Sequence, residues 1–181
     1  RSGASWSMGA VTAVDVIAND GINIVRFDNG AELPGGVLGR CTSRFSGCFI
    51  GGGTSLDWYV TELDIVFNDD FTWHYDRTET PFAEFDFESV SVHELGHGYQ
   101  QGHVIDTNDI MHFSISNGSF NREPSVNNLA GTGAIQTRST GTSVCGETLA
   151  SDFVCSSTTI VINEVDADDA GTDDSEFAPQ C

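Results

Sequence analysis

Residues 93–103 read HELGHGYQQGH, and here three imidazoles and one carboxylate stand at the spacing that metal-assisted hydrolysis requires. On a helix, His93 and His97 are four positions apart and project from one face about a turn apart, the separation at which two imidazoles grip one tetrahedral Zn2+. Glu94 lies beside that face, where a carboxylate reaches water without displacing the metal. That is the place of a general base. His103 follows His97 by six residues, too far round a straight helix to share its face, so the chain must turn back to deliver it. Gly98 and Gly102 offer places for the helix to end and the backbone to adopt positive φ. Three His and a Glu leave the fourth metal position open for water, whereas structural zinc sites fill all four with Cys or His. Composition would produce this spacing in 181 residues with a probability on the order of 0.01%, so chance is a poor explanation.

A helix must carry the motif. Asp86 is placed to cap one that begins near Phe87 and continues through Val90, Val92 and Leu95. Upstream, β-type runs at Val11 to Ala18, Ile22 to Phe27, Gly36 to Cys41 and Thr61 to Phe67 are separated by Asn-Asp-Gly, Asp-Asn-Gly and Gly-Gly-Gly punctuation. In the last run Leu63, Ile65 and Phe67 share one face, with Glu62 and Asp64 on the other, the pattern of a half-buried strand. A second helix is expected over Ser125 to Ala130, then a Gly/Thr/Ser-rich loop from Gly131 to Ser143. Thr158 to Val165 reads as strand, and the acidic run Asp166 to Glu176 as exposed chain. The expected class is α+β.

At 181 residues and 19.4 kDa the chain suits one domain with a short appendage. Its 27 acids against 7 bases, all arginine, give a net charge of −20, which repels nucleic acid and anionic lipid. The longest apolar runs fall far short of the roughly 20 residues that cross a bilayer, so no membrane partner is expected. Twelve Phe, three Trp and three Tyr supply bulk for a core, and the acidity reads as a solvated surface.

Cysteines at Cys41, Cys48, Cys145, Cys155 and Cys181 lack the CxxC spacing of a zinc knuckle or redox motif. Two local disulfides, Cys41 to Cys48 and Cys145 to Cys155, are the economical expectation, and they favour an oxidising, secreted setting. Cys181 is left as a free thiol or an external partner. The start at Arg1, without initiator Met or apolar signal segment, reads as a processed or trimmed product.

HELGHGYQQGH followed by Asp109-Ile110-Met111 resembles the metzincin zinc-protease signature HExxHxxGxxH with its Met-turn, and the step of eight from His103 to Met111 is similar to that of the matrixin branch. FDFESVSVHELGH and HVIDTNDIMHFSISNG resemble the matrixin-like proteases of secreted bacterial proteins, and the likeness covers residues 20–140. It implies a metzincin-type catalytic domain over 1–140: a twisted mixed sheet on an active-site helix, with a short C-terminal helix at Ser125 to Gln136. A Cys-containing linker would follow over 141–157. Residues 158–181 would be the truncated start of a C-terminal β-domain or an acidic tail, since Ile160 to Phe177 resembles the opening of a lamin-tail-type β-sandwich.

Carried over by residue, the resemblance implies His93, His97 and His103 as zinc ligands, Glu94 as base and Met111 as an apolar floor beneath the metal. It implies that Glu62 to Asp69 forms the edge strand along which an extended substrate adds, with Leu63, Ile65, His112 and Phe113 lining the cleft. Two departures stand out. Gln100 occupies the family's Gly position, so either Gln100 accepts positive φ or Gly98 and Gly102 relocate the turn. Phe113 stands two residues after Met111, where the astacin and serralysin branches place an extra Tyr ligand. No counterpart of the family's N-terminal helix is legible before Val11. The expected function is a secreted, monomeric zinc endopeptidase acting on protein or peptide. The alternatives are a binding or adhesion module on a degenerate metzincin fold, and a zinc hydrolase of non-peptide bonds. Asn68-Asp69-Asp70 and Asp166 to Asp174 could bind Ca2+ through oxygen ligands, yet neither matches a defined calcium loop, and a charge run is usually a solvated face. His74 and His112, the other two histidines, suit surface or cleft-lining roles.

Overall fold

The computed structural model describes residues 11–50, 55–138, 153–154 and 164–167. Its elements in chain order are β1 (Ile24–Phe27), β2 (Gly39–Ile50), β3 (Ser55–Phe67), β4 (Trp73–His74), β5 (Phe85–Asp86), α1 (Phe87–Gly98), α2 (Val126–Arg138), β6 (Phe153–Val154) and β7 (Glu164–Ala167). The result is an α+β fold with a mixed sheet and two helices among the described residues. None of these helices is long and apolar enough to cross a membrane.

β3 is an interior strand of the sheet. β1 pairs with it in parallel from Ile24 opposite Asp64 to Phe27 opposite Phe67, and β2 pairs antiparallel on its other side from Gly39 opposite Phe67 to Ile50 opposite Ser55. The expectation that Glu62 to Asp69 is the edge strand is therefore corrected: residues 64–67 have neighbours on both sides. β2 is interior as well: its outer edge pairs with β6 at Phe49–Ile50 and with β7 at Arg40–Ser43. β4 and β5 form a separate parallel pair.

The half-buried reading of β3 is also corrected. Glu62 and Asp64 are each 1% exposed, because Arg44 of β2 reaches across the strand pair to bond both carboxylates and the backbone N–H groups of Asp20 and Gly21 donate to Glu62. Burial pushes the Asp64 carboxyl above the usual carboxylate range, prevailing over the downward pull of Arg44. On the other face Leu63, Ile65 and Phe67 join Leu38, Cys41, Trp73 and Val90 in the main core, which seats α1 on the sheet. The Phe87 ring at the start of α1 lies 4.8 Å from that of Phe67 and 5.5 Å, edge-on, from that of Trp73.

Other local expectations fare differently. Val11 to Ala18 forms no strand, and Val11 and Val16 are exposed. The run expected at Gly36 to Cys41 starts at Gly39, after Gly36 turns the chain at φ 105°, and continues to Ile50. α2 extends through Arg138, so the first part of the expected Gly131–Ser143 loop is helical. The Cys41–Cys48 pairing is corrected by the backbone: both lie in β2, and seven extended residues separate their Cα atoms by roughly 23 Å, against the ~7 Å limit of a disulfide. Cys145, Cys155, Cys181, the region before Val11, most of the linker and most of the acidic tail lie outside the described residues.

Candidate metal centre

α1 starts where its sequence says it should. Asp86 caps the helix, accepting from Ser89 N at 2.9 Å and Ser89 Oγ at 2.6 Å, while Arg122 Nε donates to the same carboxylate at 2.9 Å. Burial alone would push the Asp86 carboxyl up; the Arg122 guanidinium and the Ser89 donors outweigh it and hold the group below the ordinary range. This anchors the first turn of α1 and fixes the direction in which His93 and His97 project.

α1 ends in a Schellman turn. Gln101 N donates to Gly96 O at 3.1 Å and Gln100 N to His97 O at 2.6 Å, with Gln100 in the left-handed region at φ 61°. Gln100 itself, not Gly98 or Gly102, carries the positive φ that reverses the chain. The reversal returns His103 to the helix face.

The three Nε2 atoms converge: His93 to His97 at 2.8 Å, and His103 to each of them at 3.2 Å. Four ligand atoms held tetrahedrally at 2.0–2.1 Å from a metal lie about 3.3 Å apart, so the observed spacing fits one ion. The outer nitrogens agree. His93 Nδ1 bonds Ile110 O and His97 Nδ1 bonds Gln101 O, both at 2.7 Å, which makes Nδ1 the donor in each ring. Both Nε2 atoms then face each other as acceptors, an arrangement that a cation relieves. This trio is the grouping of three potential His, Cys, Asp or Glu ligands found among the described residues.

Glu94 is fully buried, and β2 approaches it closely: a Cβ added at Gly39 would stand 2.6 Å from Glu94 Oε1. Met111, 1% exposed, lies against α1, where a Cβ on Gly96 would collide with its Sδ. The turn carrying Met111 is organised by Asp109, whose Oδ1 accepts from Met111 N at 2.9 Å and whose Oδ2 accepts from Ser125 Oγ at 2.8 Å, beside the cap of α2. Burial pushes the Asp109 carboxyl up, but these donors and Asn128 bring it below the usual range. Val104 N then donates to Met111 O at 2.9 Å, tying the segment after His103 to the turn.

A cavity of about 230 Å³ opens beside His93, with Leu38, Phe71, Phe85, Val90 and Ile115 in its walls and His112 and Phe113 among its lining. Of the four residues expected in the cleft, His112 and Phe113 are thus brought to the site. Leu63 and Ile65 are not; they are core residues of β3. His74 bonds Glu84 and Thr78, each at 3.0 Å, away from the centre. Asn68 donates to Val37 O at 2.9 Å and accepts from Asp70 N at 2.8 Å.

Sequence reasoning missed Asp109, Gly39, Gln101 and Ser43 as parts of the site. Asp109 alone had a local signal, an Asp two residues before a buried turn residue, the pattern of an Asx-type bond to the backbone. Gly39 packs on Glu94 and Ser43 accepts from Gln100 Nε2 at 2.7 Å, both contacts distant in sequence, whereas Gln101 acts on His97 through a carbonyl only four residues on. No family model, curated protein or solved structure matches this chain.

Proposed function

We propose that the chain is a zinc-dependent endopeptidase of matrixin-like metzincin type. The observation that carries the reading is the convergence of three Nε2 atoms within 2.8–3.2 Å, two of them oriented by Nδ1–H bonds to carbonyls, next to a buried glutamate on the same helix. His93, His97 and His103 would hold the ion and leave a position open. Zinc bound there supplies Lewis acidity, polarising a carbonyl and easing the deprotonation of water. Glu94 accepts a proton from the attacking water as its oxygen bonds to the scissile carbonyl carbon. The same carboxylate then delivers that proton to the departing amine nitrogen as the C–N bond breaks.

Substrate is polypeptide. β2 packs closely on Glu94 at Gly39, so its outer edge, which β7 occupies at Arg40–Ser43, replaces β3 as the strand to which an extended peptide would add in place of β7. The cavity beside His93 offers an apolar seat for one large side chain next to the cut bond. Met111 fills the space under the helix at Gly96 and keeps that side of the centre apolar. A monomer meets these requirements, since every residue invoked comes from one chain. Export is part of the proposal and rests on the family likeness and on Cys145 and Cys155, because Cys41 and Cys48 do not support it. The degenerate-fold alternative required Gln100 to displace His103, and His103 Nε2 stands 3.2 Å from both partners.

The test is digestion of casein and a peptide library by zinc-loaded protein, with Glu94→Ala alongside. We expect cleavage by the native chain and none by Glu94→Ala, with one equivalent of zinc in both. Zinc-loaded native protein that cuts no polypeptide would overturn the reading in favour of a hydrolase of another bond.

A further inference from the structure

We infer that Gln100 is a positioning residue, whose side chain is anchored on Ser43 so that a strained turn can hold two of the three imidazoles in place; the inference rests on the reading of the histidine trio as a metal centre. At φ 61° Gln100 adopts a backbone that L side chains seldom take, and it does so two residues after the end of α1. Such strain persists where surrounding contacts over-determine it. The contact is visible: Gln100 Nε2 donates to Ser43 Oγ at 2.7 Å, and Ser43 is a 1% exposed residue of β2 paired opposite Leu63. Gln100 therefore ties the end of α1 to the sheet.

Two ligands depend on that tie. The next carbonyl, Gln101 O, receives the Nδ1–H of His97 at 2.7 Å, so the turn sets the ring orientation of His97. Three residues beyond Gln100 stands His103, whose approach to His93 and His97 the same turn directs. The far side is held by Gln101 Nε2, which donates to Asn128 O at 2.6 Å and to Thr132 Oγ1 of α2. The turn is thus clamped between β2 and α2 through adjacent glutamines. A glycine at 100 would relieve the backbone but release the β2 side of the clamp. Asparagine tolerates the left-handed region yet is one methylene shorter, which breaks the reach to Ser43.

The experiment compares native protein with Gln100→Gly, Gln100→Asn and Ser43→Ala. Zinc affinity is read by chelator competition, the visible absorption of the Co2+-loaded protein is recorded, and the metal-free proteins are melted. We expect each variant to lose about 10–100-fold in zinc affinity and to alter the Co2+ spectrum. Gln100→Gly should do so with a metal-free melting temperature equal to or above that of native protein, which a merely structural role would not produce. The double variant Gln100→Gly/Ser43→Ala should bind zinc no more weakly than the weaker single variant. Should Ser43→Ala fail to fold, the half-buried Gln100 variants carry the test. Zinc affinity within twofold of native and an unchanged Co2+ spectrum in both Gln100 variants would overturn the inference while leaving the metal centre standing. Native protein that takes up neither metal would overturn both.

Discussion

Asp109→Ala should loosen the floor of the metal centre and destabilise the fold together. The carboxylate accepts from Met111 N at 2.9 Å and from Ser125 Oγ at 2.8 Å while only 9% exposed. Hydrogen bonds to a charged group contribute about 1.5–3 kcal/mol each, so losing both costs about 3–6 kcal/mol. With a urea dependence of about 2 kcal/mol per molar, the unfolding midpoint falls by roughly 2 M. The same turn contains Ile110, whose carbonyl orients His93 at 2.7 Å, so zinc affinity should fall by about 10–100-fold as the ring loses its fixed partner. Asp109→Asn keeps an acceptor for the Met111 N–H and should lose less on both counts. Urea denaturation of the metal-free protein and chelator competition on the folded variant give the two numbers separately. If Asp109→Ala loses stability but binds zinc as native protein does, the turn does not position His93 and the reasoning fails.

Three further outcomes follow from the contacts. Asp86 titrates in the folded chain below its ordinary value of 3.8, so its stabilisation is full above that pH and is lost as pH falls through the depressed folded value; Asp86→Asn should flatten the acid limb of a stability-against-pH curve. Arg44→Met leaves Glu62 and Asp64 buried without their shared guanidinium and should cost about 3–5 kcal/mol in denaturant unfolding at neutral pH, part of which Glu62→Gln in the same chain should restore. β7 lies along the β2 edge at Arg40–Ser43 that we assign to substrate, so proline at Val165 and Asp166, one of whose N–H groups faces β2, should free the edge and lower KM for peptides with kcat little changed; an unaltered KM would place substrate elsewhere.

What the sequence revealed was local, and what it concealed was distant. The start of α1 was legible because Asp86, Glu88 and the apolar residues that follow announce a helix within a few positions. The histidine trio was legible because its geometry follows from helical spacing and one reversal. The place of β3 was not, since its parallel partner β1 lies about forty residues upstream and alternation gives a strand's faces without its neighbours. Glu62 and Asp64 looked solvated for the same reason: the arginine that buries them sits 18 and 20 residues away on β2. α2 was read short because Gly131 and Gly133 are poor helix formers, and the helix is supported there by contacts such as Gln101 to Thr132. At Gln100 the sequence left two ways to turn; the choice depends on Ser43, 57 residues earlier.

The most direct measurement of the central claim is X-ray absorption at the zinc edge of metal-loaded protein, with the bound metal counted. The account predicts one zinc per chain, three imidazole nitrogens at about 2.0–2.1 Å and one exchangeable oxygen, with one nitrogen lost in His103→Ala. A fourth protein ligand closing the site, an unchanged first shell in His103→Ala, or no retained zinc would contradict it.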